Sequence, residues 1–153
     1  MSRTRDELAG VVDLFGALTR EELTQALSEL AYKQGKEVQE EALVAEIEAA
    51  QEAFYLVEGR FGDEAVLVPG PAAFPTLPEY GPDLPHILDV EERSVNQASM
   101  GGFVADRLRR EAAAAVEAGD EERAATLLDV TYDAEAWAPV ELDDVRETLE
   151  AVL

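Results

Sequence analysis

The chain contains no cysteine, one histidine (His86) and two lysines (Lys33 and Lys36) among its 153 residues. Without thiols it cannot form disulfides, thiolate metal sites or a cysteine nucleophile. The glycine-rich phosphate-binding patterns of nucleotide and dinucleotide enzymes are also absent from the sequence. These absences exclude several enzyme classes, and we expect neither a cofactor nor catalytic residues.

Long hydrophobic runs are missing as well. Residues 1–7 mix arginines with acidic residues and lack the apolar core of a secretion signal. No apolar stretch approaches the roughly 20 residues that a membrane-spanning helix needs. The sequence therefore predicts a soluble, cytoplasmic protein.

Positive charge is scarce: 12 basic residues face 34 acidic ones, so the net charge is −22. The acidic excess is spread evenly, with −9 over residues 1–68, −3 over 69–90 and −10 over 91–153. In about 1 M salt the Debye length is about 3 Å, which screens the self-repulsion of such a surface. This distribution indicates a cytosolic protein of a halophile that accumulates salt in its cytoplasm.

The first part of the chain reads as three helices followed by a hairpin. Capping boxes at Thr4-x-x-Glu7 and Thr19-x-x-Glu22 start two helices, and the second should end at Gly35. A third helix is predicted over about residues 39–53. Strand-like runs at 54–58 and 65–68 flank a loop at 59–63. This order is typical of a winged-helix domain over residues 4–69; a local helical bundle with an accessory hairpin is the alternative.

Residues 70–93 form a proline-rich connecting arm. Because proline lacks an amide donor and fixes φ, the segment is predicted to be neither helix nor inner strand. Apolar residues interleave with the prolines and favour an arm laid over a hydrophobic surface. They are Phe74, Leu77, Tyr80, Leu84, Ile87 and Leu88.

Residues 94–153 are predicted to form a C-terminal helical layer packed against the N-terminal half. A capping box at Ser94-x-x-Gln97 starts a long helix that runs to Gly119, and Asp120 caps a short helix that follows. A last helix should cover about residues 141–152. The inner line of the long helix is Gly101, Val104, Leu108, Ala112 and Ala115. The fold class is therefore mainly α with a small β-hairpin (α+β).

Trp137 lies in a stretch that we interpret as a break between two of these helices. A large aromatic side chain at such a position more often plugs the junction between two halves than contacts a ligand.

Two cationic positions are candidate partner contacts. Arg107, Arg109 and Arg110 cluster on the long helix. Ion pairs four residues apart, from Asp106 to Arg110 and from Arg107 to Glu111, would account for much of that cluster. Arg60 and Phe61 are predicted at the tip of the hairpin loop, where Phe61 either meets a partner or folds back.

His86 between Asp83 and Asp89 is the weakest candidate. An imidazole with two carboxylates can bind a divalent ion, but this spacing fits no standard metal site. We interpret His86 as structural or solvent-facing and predict no metal site.

Four stretches resemble a family of small acidic haloarchaeal proteins with no assigned function. They are DELAGVVDLFGALT at 6–19, VPGPAAFP at 68–75, LPHILDV at 84–90 and WAPV at 137–140. The resemblance covers nearly the whole chain. It implies a halophilic source and no catalytic residues.

The residues favour a non-enzymatic protein-interaction module, an adaptor or regulatory protein whose partner is another protein. A DNA-associated winged-helix regulator that would act as a homodimer is the alternative, with Lys33, Lys36, Arg60 and the helix arginines as its basic contacts. Nucleic acid is disfavoured because residues 39–53 carry five glutamates and no Lys or Arg. A metal-dependent enzyme centred on His86 is a weaker alternative.

Overall fold

The computed structural model describes residues 4–153 and divides into a first unit that ends at Val95 and a second unit, Asn96–Leu153. Helices dominate, and one two-stranded antiparallel sheet accompanies them, which confirms the predicted α+β class. None of the helices among residues 4–153 combines the length and the apolar composition that a membrane span requires.

The first unit begins with helices α1 (Arg5–Phe15), α2 (Arg20–Lys33) and α3 (Glu40–Glu52). Both predicted capping boxes are present, so α1 and α2 each start with two satisfied backbone amides. No side chain caps α3. The three helices bury a shared leucine-rich core that includes Leu8, Leu23, Leu27, Leu30, Leu43 and Ile47.

The hairpin is longer than predicted. Strands β1 (Leu56–Phe61) and β2 (Glu64–Pro69) pair in a register that sets Phe61 opposite Glu64. A two-residue turn at Gly62 and Asp63 therefore suffices, with Gly62 at φ +63°. The predicted loop at 59–63 is wrong in extent: Arg60 and Phe61 belong to β1.

A residue between the first two helices adds a third strand position to this sheet. Leu18 forms an antiparallel bridge with Leu67 of β2. The Leu18 amide donates to the Leu67 carbonyl over 3.1 Å, and the Leu67 amide donates to the Leu18 carbonyl over 2.7 Å. The α1–α2 joint is thereby fixed to the hairpin.

The proline-rich arm contains helix after all. A 3-10 turn at Gly81–Asp83 leads into a one-turn helix, α4 (Leu84–Ile87). Pro82 and Pro85 lie at the first helical positions, where the missing amide costs nothing because no intrahelical acceptor exists there. The prediction of no helix in this segment was wrong for that reason.

The second unit consists of helices α5 (Gln97–Ala118), α6 (Glu121–Trp137) and α7 (Asp143–Glu150). The predicted inner line of α5 is confirmed, since all five of its residues are buried. The predicted Ser94 cap is wrong: Asn96 caps α5, and its side chain accepts from the Ser99 amide at 3.1 Å. Asp120 caps α6 as predicted.

Helix α6 is longer than the short helix that we predicted. It continues through Trp137, which is its last residue and is half-buried. The break between helices therefore begins after Trp137, at Ala138. Helix α7 begins two residues later and ends two residues earlier than the range predicted for the last helix.

Candidate interaction surface

The arm is tied to helix α1 close to the start of the arm. The Phe74 amide donates to Asp6 Oδ1 over 2.9 Å, and the Thr76 amide donates to the Asp6 carbonyl over 3.1 Å. The Thr76 carbonyl occupies the space that a Cβ atom on Gly10 would take. Glycine at position 10 therefore lets the arm backbone lie directly on the helix.

The arm is tied a second time, at Arg93, to the joint between α1 and α2. The Arg93 side chain is 11% exposed and binds Glu22 through two hydrogen bonds of 2.7 and 3.2 Å. It also donates to the Ala17 carbonyl over 3.1 Å, and the Arg93 amide donates to the Phe15 carbonyl over 2.8 Å. A bidentate guanidinium–carboxylate pair of this kind fixes geometry as well as charge.

Hydrogen bonds at this anchor stabilise the charged forms of Glu22 and Arg93. Burial acts to raise the pKa of Glu22, but hydrogen bonds from Arg93 and Thr19 bring the pKa below its ordinary value. The hydrogen bond to Glu22 likewise raises the pKa of Arg93. Glu22 thus serves both as the capping-box carboxylate of α2 and as the acceptor for Arg93.

The anchored arm splits its apolar side chains between the core and the surface. Leu84 and Leu88 are buried, as the predicted covering arm requires. The others are exposed, and Phe74 is 80% exposed. We call these exposed residues the apolar arm face: Phe74, Leu77, Tyr80 and Ile87.

The backbone beneath this face is held by further contacts. The Gln34 side chain at the end of α2 donates to the Glu79 carbonyl over 3.1 Å. The Gly81 amide donates to the Pro78 carbonyl over 2.9 Å. Tyr80 adopts a left-handed conformation with φ +68° between these two ties. The apolar arm face is therefore presented from a hydrogen-bonded backbone.

The hairpin candidates are both exposed. Arg60 donates to the Asp63 carbonyl over 3.2 Å and forms no ion pair within residues 4–153. Phe61 is 39% exposed at the end of β1, so its ring does not fold back completely onto the hairpin. This end of the sheet offers a cation and an aromatic ring side by side in sequence.

The arginine candidates on α5 are mostly engaged. Arg107 pairs with Glu111 as predicted. The predicted Asp106–Arg110 pair is wrong, because Asp106 lies 3.5 Å from Arg109, which also binds Asp144 at 2.9 Å. Arg110 is exposed and has no ion pair in the described part of the chain.

Comparison with known proteins gives one match. Residues 6–153 match the family DUF7109, which is described as a family of unknown function. The chain belongs to this family. No curated protein and no solved structure matches the chain. The expectation of a family without assigned activity is thereby confirmed, while the haloarchaeal origin stays a prediction.

The other candidates of the DUF7109 chain lie apart from the arm anchors. His86 lies on α4 and is exposed. Asp83 just before this helix and Asp89 just after it are exposed as well. No group of three His, Cys, Asp or Glu side chains that could hold a metal ion occurs among residues 4–153. Lys33 and Lys36 are exposed at the end of α2.

The outward face of α3 is acidic. Four of its glutamates are exposed, and the fifth, Glu46, is half-buried. Arg20 approaches this face from α2 and lies 3.7 Å from Glu48. The exposed four are Glu40, Glu41, Glu48 and Glu52.

A second anchored arginine lies in the other unit. Arg146 on α7 binds both carboxylate oxygens of Glu135 at 3.1 and 2.9 Å and donates to Thr131 over 3.2 Å. Its guanidinium carbon lies 4.5 Å from the centroid of the Tyr132 ring. The hydrogen bond from Arg146 lowers the pKa of Glu135.

Sequence reasoning missed both Arg93 and Arg146. Arg93 and Glu22 are 71 positions apart, so no helical spacing links them. The available signal was indirect: Arg93 is the sole basic residue between residues 61 and 106. A single cation in so long an acidic stretch is a candidate for a specific partner.

Proposed function

We propose that this DUF7109 protein is a non-enzymatic protein-interaction module, an adaptor or regulatory protein that docks a partner protein on its apolar arm face. One observation carries the proposal: Phe74, Leu77, Tyr80 and Ile87 are exposed on a strongly acidic chain. Clustered exposed apolar residues are typical of recognition surfaces, and these four fall within fourteen consecutive positions.

The anchoring of the arm supports this role. Ordering a flexible segment on binding costs conformational entropy, whereas a segment that is already held avoids that cost. Asp6 holds the arm at Phe74 and Thr76, and Arg93 holds it beyond Ile87. Aromatic anchors are common at the energetic centre of interfaces, and Phe74 and Tyr80 are of that kind.

Site-specific photo-crosslinking tests this proposal. A benzoylphenylalanine at position 74 is compared with the same group at position 41, which is exposed on α3, in cells that produce the protein. We expect one adduct of defined mass at position 74, lost when Leu77→Asp is added. Equal, diffuse labelling from both positions would count against the arm as a docking surface.

A DNA-associated winged-helix regulator is the second candidate. Three helices followed by a hairpin favour the winged-helix assignment, and the Leu18–Leu67 bridge ties the α1–α2 joint to that hairpin. The acidic outer face of α3 argues against DNA, since this helix would have to enter the major groove.

Binding to duplex DNA separates the two candidates. Under the interaction proposal, fluorescence anisotropy shows no duplex binding at any salt concentration. Binding that Arg60→Ala and Lys36→Ala each weaken would instead favour the regulator, because both cations are exposed.

The cytosol of a halophile is the proposed setting. The support is the net charge of −22 without a local acidic tail. Self-repulsion of this size is screened by concentrated salt. We expect the melting temperature to rise steeply between about 0.1 and 1 M KCl. A melting temperature that stays constant over this range would contradict the proposed setting.

A further inference from the structure

The outer edge of strand β1 has backbone groups without partners. Leu67 of β2 uses its amide and carbonyl to bind Leu18, and it lies opposite Glu58 of β1. Glu58 and Leu67 are therefore a non-hydrogen-bonded pair, so the amide and carbonyl of Glu58 point away from β2. Arg60, two residues further on, points its groups the same way.

The two charged residues of this edge are accessible, whereas Gly59 between them is buried. Glu58 and Arg60 are both exposed, and no other described residue hydrogen-bonds to their backbone amides or carbonyls. An edge with free donors and acceptors is a template for another strand. The sequence of the edge suggests which strand it takes.

We propose that β1 pairs with β1 of a second copy of this chain, in an antiparallel register centred on Gly59. The two hairpins then form one four-stranded sheet with two-fold symmetry. This interface involves a different surface from the apolar arm face, and it does not rest on the function proposed above.

Charge selects the register. Outward-pointing groups must face each other, so residues of β1 with even numbers pair with even-numbered residues of the second copy. Centring on Glu58 sets two glutamates opposite each other, and centring on Arg60 sets two arginines opposite each other. Like charges directly opposite are destabilising.

Centring on Gly59 instead forms two complementary pairs. Glu58 faces Arg60 of the second copy, and Arg60 faces Glu58 of the second copy. The closest contact, a non-hydrogen-bonded pair, falls on Gly59, which brings no side chain to it. The β1 strand is thus self-complementary, as a two-fold interface requires.

Charge exchange tests this register directly. Glu58→Arg and Arg60→Glu are prepared separately, then mixed, and light scattering after size-exclusion chromatography gives the mass of each sample. Two matched controls carry the same changes of net charge, from −22 to −20 and to −24, at exposed positions on α5. They are Glu117→Arg and Arg110→Glu.

We expect the unsubstituted chain and both controls to be dimers at tens of micromolar, and each β1 variant alone to dissociate at least tenfold more readily. Mixing the two β1 variants should restore dimers, because each arginine pair then faces a glutamate pair. Circular dichroism checks that every variant is folded.

Three results would overturn the proposal. The unsubstituted chain is a folded monomer at every concentration, the β1 variants dimerise like the controls, or the mixture stays monomeric. A Glu58→Pro variant distinguishes the loss of pairing between two copies from the loss of the fold. It removes an outward amide without removing a bond to β2, so it should fold and stay monomeric.

Discussion

Different kinds of contact stabilise the interior of each of the two units of this protein. The first depends on contacts between residues far apart in sequence, such as Arg93 with Glu22 and Phe74 with Asp6. The second is a set of three helices whose apolar positions recur at helical spacing and whose ion pairs join residues no more than 35 positions apart. Specific anchors therefore organise the first unit, and periodic burial organises the second.

Individual glycines also differ in whether their surroundings require them. In the first unit, the Arg93 carbonyl lies where a Cβ on Gly16 would be, and Gly16 has φ +83°. In the second unit, Gly102 is exposed in the middle of α5, and a Cβ there would have no neighbour within 4 Å. One glycine is required by its surroundings, whereas the other weakens its helix.

The largest expected effect comes from Gly16→Ala. The substitution combines a left-handed conformation, costing about 1–2 kcal/mol, with displacement of the Arg93 backbone and its hydrogen bond, about 1 kcal/mol more. We expect a loss of about 2–3 kcal/mol from the unfolding free energy of the first unit. Hydrogen exchange read by mass spectrometry resolves the two units.

The matched control is Gly35→Ala, where φ is +70° but no atom lies within 4 Å of the added Cβ. It should show the conformational cost alone, about 1–2 kcal/mol. Equal losses for both variants would mean that the Arg93 backbone is not fixed against Gly16.

The next effect separates a buried ion pair from an exposed one. Arg93→Ala leaves Glu22 without its partner in a half-buried site, so we expect a loss of about 2 kcal/mol. Arg109 is 47% exposed, and its pair with Asp144 should contribute less than about 1 kcal/mol. Urea unfolding of Arg93→Ala and Arg109→Ala measures both, and similar losses would mean that the buried pair contributes no more than the exposed one.

Acid titration tests the contribution of Glu22 to the stability of the first unit. Because the pKa of Glu22 is lower in the folded state, its stabilisation is complete above the unfolded value of about 4.3. It is lost as the pH falls through the folded pKa. We expect Glu22→Gln to flatten the pH dependence of the first unit below about pH 4.3, as hydrogen exchange in that unit measures.

The control for this titration is Glu135→Gln, which should flatten the pH dependence of the second unit alone, since the pKa of Glu135 is lowered by Arg146. If either variant changes the pH dependence of both units equally, the Glu22–Arg93 and Glu135–Arg146 pairs do not each act on their own unit alone.

The smallest effect is a gain. Gly102→Ala should stabilise α5 by about 0.5–1 kcal/mol, because alanine has the higher helix propensity and the site is open. The neighbouring Gly101→Ala should destabilise the unit, since its Cβ would lie 2.8 Å from Val140 Cγ1 and 2.9 Å from Ala138 Cβ. Trp137, the single tryptophan, reports unfolding of this unit by fluorescence. A loss of stability in Gly102→Ala would contradict the open surroundings of this position.

Local signals in the sequence predicted local structure well. The capping boxes at Thr4 and Thr19 and the cap at Asp120 depend on residues three apart, and each is present. Errors arose where two signals competed within a few residues. Asn96 caps α5 in place of Ser94, and Asp106 pairs with Arg109 in place of Arg110.

The anchors of the arm could not be predicted in this way. The contact of Arg93 with Glu22 depends on how the chain closes over the α1–α2 joint, and no periodicity encodes it. The same holds for the apolar arm face. Phe74 and Leu84 look alike in sequence, yet one is exposed and the other buried.

The proposed role of the arm requires that it is a fixed part of the first unit and presents its apolar side chains from a held backbone. Amide hydrogen exchange by NMR at Phe74, Thr76 and Arg93 tests it most directly, because each of these amides donates to a residue of the α1 region. We predict protection comparable to that of the Leu30 amide in the core of α2. Exchange at the rates of an unstructured peptide would contradict the account.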